Sequence, residues 1–166
     1  MPEPIERGAP AAVNEARMLA LNNAHAEQTS LLDAARLRQM LDMAFRVATV
    51  GALDAFLIAF DQDAAYASPN FLWLRARHAR FVYVDRIVTA PEARGRGLAA
   101  RLYGQLFEAA ADSGHDRVLC EVNLLPPNPG SDAFHARMGF TEIGRATTAD
   151  GAKTVRYLER LLRTSG

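Results

Sequence analysis

The sequence predicts one α/β (α+β) domain: a helical front part, a central strand–turn–helix–strand unit, and a β-rich tail. Three observations predict it. A β-rich apolar run over residues 81–88 stops at Thr89-Ala90-Pro91, and two glycines then precede leucines at 98, 102 and 106. A second alternating run occupies residues 117–123. Beyond Phe140 the pattern is strand-like, without the returning helices of a doubly wound sheet.

The elements follow in order. Residues 1–10, rich in proline, glycine and charge, are expected to be loosely held. Residues 11–27 read as a helix, with Val13, Ala16, Ala20 and Leu21 near one face. Asp33 is a candidate N-cap for a second helix that places Leu37, Met40, Leu41 and Ala44 on one side. Strands are expected at 46–50 and 53–60 around a turn at Gly51, the second apolar enough to be central. Ser68-Pro69-Asn70 opens a short helix carrying Phe71, Leu72, Trp73 and Leu74.

After the run 81–88, the leucine-spaced helix closes at Gly114. In the strand 117–123, Val118, Cys120 and Val122 face one way and Leu119, Glu121 and Asn123 the other. Ser131 is read as the cap of a short helix ending at Met138-Gly139. Strands at 140–145 and 154–161, joined by a turn at Asp150-Gly151, complete the chain.

The bulk numbers narrow the function. A length of 166 residues suits a single domain over 1–166. Basic and acidic side chains balance at 19 each, against a general pull on nucleic acid or an anionic membrane. Cys120 is the only cysteine, so no thiol cluster holds zinc, no metal is assigned, and a reducing cytoplasm is the expected setting. The N-terminus lacks the apolar core of a signal peptide, and no run has the length of a membrane helix.

Gly95 and Gly97 let the backbone turn tightly and approach a ligand. The following helix offers unpaired N–H groups and a positive dipole end, which suits a pyrophosphate. Arg94 and Arg96 add forked donors for phosphate oxygens. The residues by themselves thus point to a phosphorylated cofactor. The competing reading is an ordinary turn with solvated arginines.

The segment Val88-Thr89-Ala90-Pro91-Glu92-Ala93-Arg94-Gly95-Arg96-Gly97-Leu98-Ala99 closely resembles the acetyl-CoA signature of the GNAT superfamily of N-acetyltransferases. In the pattern Gln/Arg-x-x-Gly-x-Gly/Ala, the specified places are held by Arg94, Gly97 and Ala99. Residues 128–140 resemble the second element of that family, with Asn128, Gly139 and Phe140 matching. The resemblance covers residues 81–161. It implies a mixed sheet flanked by helices, in which the strand ending at Val88 carries a bulge and splays from the strand 117–123 to admit the pantetheine arm. It also implies cofactor contacts from Ile87, Val88, Thr89, Arg94, Gly95, Arg96, Gly97, Leu98, Ala99, Asn128 and Ser131.

The implied reaction is acetyl transfer from acetyl-CoA to a primary amine by direct attack. It needs a base for the amine, a donor for the developing oxyanion, and a proton for the thiolate. The resemblance places the oxyanion donor at a backbone N–H near Val88. The family commonly uses a tyrosine for the leaving group, and His135 stands in that place. His135 is either a proton donor or a helix residue lining the cofactor groove. Asp85 and Glu121 are the candidate bases; the competing reading pairs each with an arginine such as Arg86 or Arg117, and is favoured for Asp85. Trp73 and Phe71 read as core, Cys120 as a small core residue, and His78 and His115 as surface positions. Asn22, Asn23 and His25 fall where the family places acceptor-side elements.

Two other readings remain open. Gly95-Arg96-Gly97-Leu98-Ala99-Ala100 also fits a loose dinucleotide fingerprint, with Asp116 near the usual distance, though Pro91 and Arg94 separate the strand from the first glycine. A noncatalytic acyl-CoA-binding domain would share the same motifs. The acceptor, a small molecule or peptide amine, is left open, as is a homodimer through the tail strands.

Overall fold

A computed structural model describes residues 5–6, 12–24, 31–125 and 127–162. The elements are β1 (Ile5–Glu6), α1 (Ala12–Asn23), α2 (Ala34–Met43), β2 (Arg46–Val50), β3 (Ala55–Asp61), α3 (Pro69–Arg75), β4 (Val82–Thr89), α4 (Leu98–Asp112), β5 (Arg117–Leu125), α5 (Pro129–Arg137), β6 (Thr141–Thr147) and β7 (Thr154–Leu161). The strands form one sheet in the order β1-β2-β3-β4-β5-β7-β6. All neighbours are antiparallel except β4 and β5.

Local chemistry sets the helix boundaries. Asp33 caps α2 by accepting from the Arg36 N–H at 2.7 Å. Ser68 caps α3 by accepting from the Phe71 N–H at 3.2 Å, with Pro69 in the first turn. In α4, Leu98, Leu102, Tyr103, Leu106 and Ala110 are buried on the face that packs on the sheet. β3 is buried along nearly its whole length, as its apolar run requires.

Several expectations are corrected. α5 is capped by Asn128, whose Oδ1 accepts from the Ser131 N–H at 3.3 Å, so the helix starts earlier than a Ser131 cap would allow. Asn128-Pro129 is the stronger start signal, and Ser131 turns its hydroxyl to His135 instead. β3 starts at Ala55 because Leu53 is left-handed (φ 61°) and Asp54 N–H closes the turn onto Val50. Residues 5 and 6, expected to be loose, pair with Val47 and Ala48; two residues are too few for a visible alternation. His115 is buried at 3% exposure, edge-on to Phe45 at 5.4 Å, not a surface residue. The rest of 1–11, the helix end at 25–27, and His25 lie outside the described residues.

The middle of the sheet positions the site. Ile58 pairs with Arg86 and Ala59 with Val84, so Asp85 is the extra residue of a β-bulge. β4 and β5 share only two rungs, Val82 with Val118 and Tyr83 with Leu119. Beyond them the strands part. The bulge and the splay expected from the family resemblance are both present. Among the described residues, no helix is long and apolar enough to cross a membrane.

Candidate functional site

The parting of β4 and β5 opens a cavity of about 520 Å³. From β4 its wall takes Val84 to Thr89, including Ile87 and Val88. From β5 it takes Cys120, Glu121, Val122 and Asn123. The turn before α4 contributes Arg94, α4 contributes Ala99 and Tyr103, and the start of α5 contributes Asn128, Gly130 and Ser131. His135 closes it from α5.

The glycine turn shapes this mouth without all of its residues lining it. Gly95 and Gly97 have φ of 82° and 71°, and a Cβ at either would meet nothing within 4 Å. The backbone is thus bare on the side where a ligand can approach, at the N-terminus of a fifteen-residue helix. This arrangement fits a pyrophosphate. Leu98 turns inward to the core. Arg96 points away from the cavity, to Asp54 at 3.1 Å and the Ala93 carbonyl at 3.3 Å. That pair ties the turn to the β2–β3 connection and leaves Arg94 as the arginine of the turn in the cavity wall.

A second cavity of about 370 Å³ lies against the first. Its walls come from α3 (Asn70, Trp73), β4 (Tyr83), the β6–β7 hairpin (Thr147, Lys153) and β7 (Tyr157). Asp85, Arg86, Glu121 and Asn123 line both cavities and mark where they meet.

The two carboxylates at this junction differ. Asp85 is held by the Tyr66 hydroxyl at 2.6 Å and Arg86 Nε at 2.6 Å, and Arg86 Nη1 donates to Asn22 Oδ1 at 2.8 Å. Its charge is therefore paired and nearly buried. Among the described residues no arginine forms an ion pair with Glu121; Arg117 instead meets Asp116 and Glu159. Glu121 Oε2 accepts from the Tyr83 hydroxyl at 2.7 Å, and Oε1 from Asn70 Nδ2 at 3.1 Å. The Tyr157 hydroxyl donates to Asn70 Oδ1 at 2.9 Å, which fixes the amide with its NH₂ towards Glu121. Burial, and then the nearby Asp85 carboxylate, push the Glu121 carboxyl up to about 8. Two hydrogen bonds and Arg86 act in the opposite sense and lose.

His135 is buried and fully engaged. Its Nδ1 lies 2.8 Å from the Ser131 carbonyl, which can only accept, so Nδ1 carries the proton. Nε2 then accepts from the Tyr103 hydroxyl at 2.9 Å. Burial lowers the pKa of the ring, which favours this neutral form. Cys120 lies beside Tyr103, and burial pushes its thiol up. Among the described residues, no group of three or more His, Cys, Asp and Glu could hold a metal ion.

Trp73, expected in the core, is a wall of the second cavity. It stacks on Tyr157 at 4.0 Å and carries Arg77 over its ring at 3.7 Å. Gly144 makes room for it: a Cβ there would lie 2.8 Å from Trp73 Cζ2. Gly144→Ala is expected to displace the indole and destabilise the protein by about 1–3 kcal/mol. Trp73 is the only tryptophan, so its emission should shift together with a lower Tm. An unchanged spectrum would show that the wall adapts.

The sequence missed Asn70 and Tyr83 as partners of Glu121, and Tyr157 as the residue that orients Asn70. Asn70 follows a cap-and-proline signal, and the tyrosines sit in strand patterns, so each has a sufficient local explanation.

Comparison with known proteins agrees with this geometry. The family model "Acetyltransferase (GNAT) family" matches residues 36–140. A phosphinothricin N-acetyltransferase of Streptomyces coelicolor is 38% identical over 71 residues, covering 42% of this chain and 40% of that protein. An N-acetyltransferase of Streptomyces griseus is 35% identical over 79 residues, 48% of this chain and 39% of that protein. The matches thus span about two fifths of these relatives. Among solved structures, the ribosomal-protein-S18-alanine N-acetyltransferase of Escherichia coli superposes with a TM-score of 0.66 at 14% identity, covering 99% of this chain and 96% of that one. At that identity the likeness concerns the fold.

Proposed function

Since the chain belongs to the acetyltransferase (GNAT) family, we propose that it moves an acetyl group from acetyl-CoA to a primary amine by direct attack, with both substrates bound together. The observation that carries this reading is the meeting of two cavities at Glu121, where β4 and β5 part.

The larger cavity is assigned to acetyl-CoA. Its pyrophosphate would be held by the N–H groups opening α4 and by Arg94, with Asn128 and Ser131 across the mouth. The free edge of β4 over Ile87, Val88 and Thr89 can pair with the pantetheine amides. A backbone N–H near Val88 is assigned to the thioester oxygen as charge develops there. The smaller cavity is assigned to the amine. Glu121 is the base: it reaches that cavity, among the described residues it forms no ion pair, and its proton affinity suits neutral pH. Asp85, paired with Arg86, is assigned to holding the bulge and raising Glu121's proton affinity.

The name of the Streptomyces coelicolor relative makes phosphinothricin the first amine to test. The experiment is calorimetric titration with acetyl-CoA, with NADH and NADPH as controls. Amine-dependent release of free thiol follows. Saturable binding of acetyl-CoA and intersecting initial-rate patterns are expected. Preference for a nicotinamide cofactor would overturn the reading, and parallel patterns would overturn direct attack. Binding without thiol release across an amine panel would favour the noncatalytic alternative.

A further inference from the structure

We propose that Glu121 handles both proton movements of the transfer, taking a proton from the attacking amine and returning one to the departing thiolate. This rests on the acetyltransferase reading above.

Position and elimination together single out Glu121. Glu121 lines both cavities, so one carboxyl faces the amine and the sulfur. Of the other residues at the junction, Asp85 is bound by Tyr66 and Arg86, Arg86 keeps its proton, and the Asn123 amide does not ionise. Each Glu121 oxygen accepts one of the hydrogen bonds described above, leaving acceptor capacity on both.

On the sulfur side the alternatives are committed elsewhere. His135 donates its Nδ1–H to the Ser131 carbonyl and accepts a hydrogen bond from Tyr103 at Nε2. A proton leaving Tyr103 would create a phenolate facing the lone pair of His135 in a buried site, which burial disfavours. Cys120, with its thiol pushed up, is no stronger an acid than the thiol it would serve. Arg94 does not release a proton.

The balance closes. The amine nitrogen bonds to the thioester carbon, and the carbonyl π pair moves to oxygen. The proton on the now cationic nitrogen passes to the Glu121 carboxylate. The oxygen pair re-forms the carbonyl, the carbon–sulfur bond breaks, and its electrons stay on sulfur. Glu121 passes its proton to that sulfur and is a carboxylate again. The products are an amide and a free thiol, with no proton gained or lost by the protein.

The surroundings of Glu121 bear on its titration. Asn70 faces it from α3, Tyr83, Asp85 and Arg86 from β4, Cys120 and Asn123 from β5, and Tyr157 from β7; Tyr103 approaches from α4. The proton affinity these groups give it lies close enough to neutrality for both directions of transfer.

The test compares acetyl-CoA with 4-nitrophenyl thioacetate, whose thiolate leaves without a proton. Glu121→Gln removes base and acid for acetyl-CoA, but only the base for the activated donor. Its loss in kcat/KM should be larger with acetyl-CoA by about tenfold or more. Tyr103 and His135 line the acetyl-CoA cavity, so Tyr103→Phe and His135→Asn can change its KM, but they should change kcat with both donors by one common factor. Equal losses for both donors in Glu121→Gln, or a loss of kcat confined to acetyl-CoA in either other variant, would overturn the proposal. Acetyl-CoA titration checks that each variant is folded, and Glu121→Ala, which also removes the carboxyl, replaces the glutamine variant if that one fails to bind. Absence of amine-dependent thiol release by the unaltered protein would instead overturn the acetyltransferase reading itself.

Discussion

Gly97→Glu is expected to weaken acetyl-CoA binding by about a hundredfold or more, for two separable reasons. Gly97 has a φ of 71°, which costs a residue with a side chain about 1–2 kcal/mol. The new carboxylate would also sit at the N-terminus of α4, where the helix dipole favours it and where phosphate oxygens would otherwise gather. The anion site is then occupied by the protein's own charge. Because a Cβ at Gly97 meets no atom within 4 Å, the fold has room for the change. Gly97→Ala carries the backbone term alone and should cost about tenfold. Calorimetry on both variants, with circular dichroism to establish folding, separates the contributions. An unchanged dissociation constant in the glutamate variant would remove the glycine turn from the binding site.

Glu121→Gln is expected to lower kcat by about 10²–10⁴, the range for loss of positioned proton transfer. The base must be deprotonated, and its pKa is raised to about 8. In the unaltered protein, kcat/KM should therefore rise with pH below about 8 and level above it. Glutamine removes that limb. A limb that survives would belong to another group. The same shift has a sign for stability. Between the ordinary 4.5 and about 8, the folded state binds the proton more firmly than the unfolded state. The Glu121 contribution therefore weakens as pH rises through that window. The Tm of Glu121→Gln, relative to the unaltered protein, should climb across the window and become flat above it. A difference independent of pH would contradict the raised pKa.

The parts of the site that are continuous in sequence were legible. Gly95, Gly97 and the leucine spacing give the tight turn into α4 without any tertiary information, and Asn128-Pro129 marks the start of α5. The alternation of β5 placed Glu121 and Asn123 on one face, and both line the two cavities. What escaped was assembled from distant segments. Glu121 takes its hydrogen bonds from Asn70 and Tyr83, 51 and 38 residues away. Arg96 reads as a phosphate ligand until Asp54 claims it. His135 reads in sequence as a proton donor or a groove-lining helix residue; that Tyr103, itself hidden among the apolar positions of α4, engages its second nitrogen shows only in the packing. Residue type and spacing report what a side chain can do; whether a partner has already engaged it is decided by packing.

The two-rung contact between β4 and β5 has a consequence for cooperativity. It joins two antiparallel half-sheets, β1 to β4 and β5 to β6, through very few hydrogen bonds. Amide protons on the free edge of β4 should exchange through local opening, well below the cost of global unfolding. A ligand pairing with that edge would act as a missing strand, and bound ligand also stabilises the folded state by mass action. Exchange at Ile87 to Thr89 should then slow towards the rate of the central strands, so that the two half-sheets protect and release their amides as a single unit.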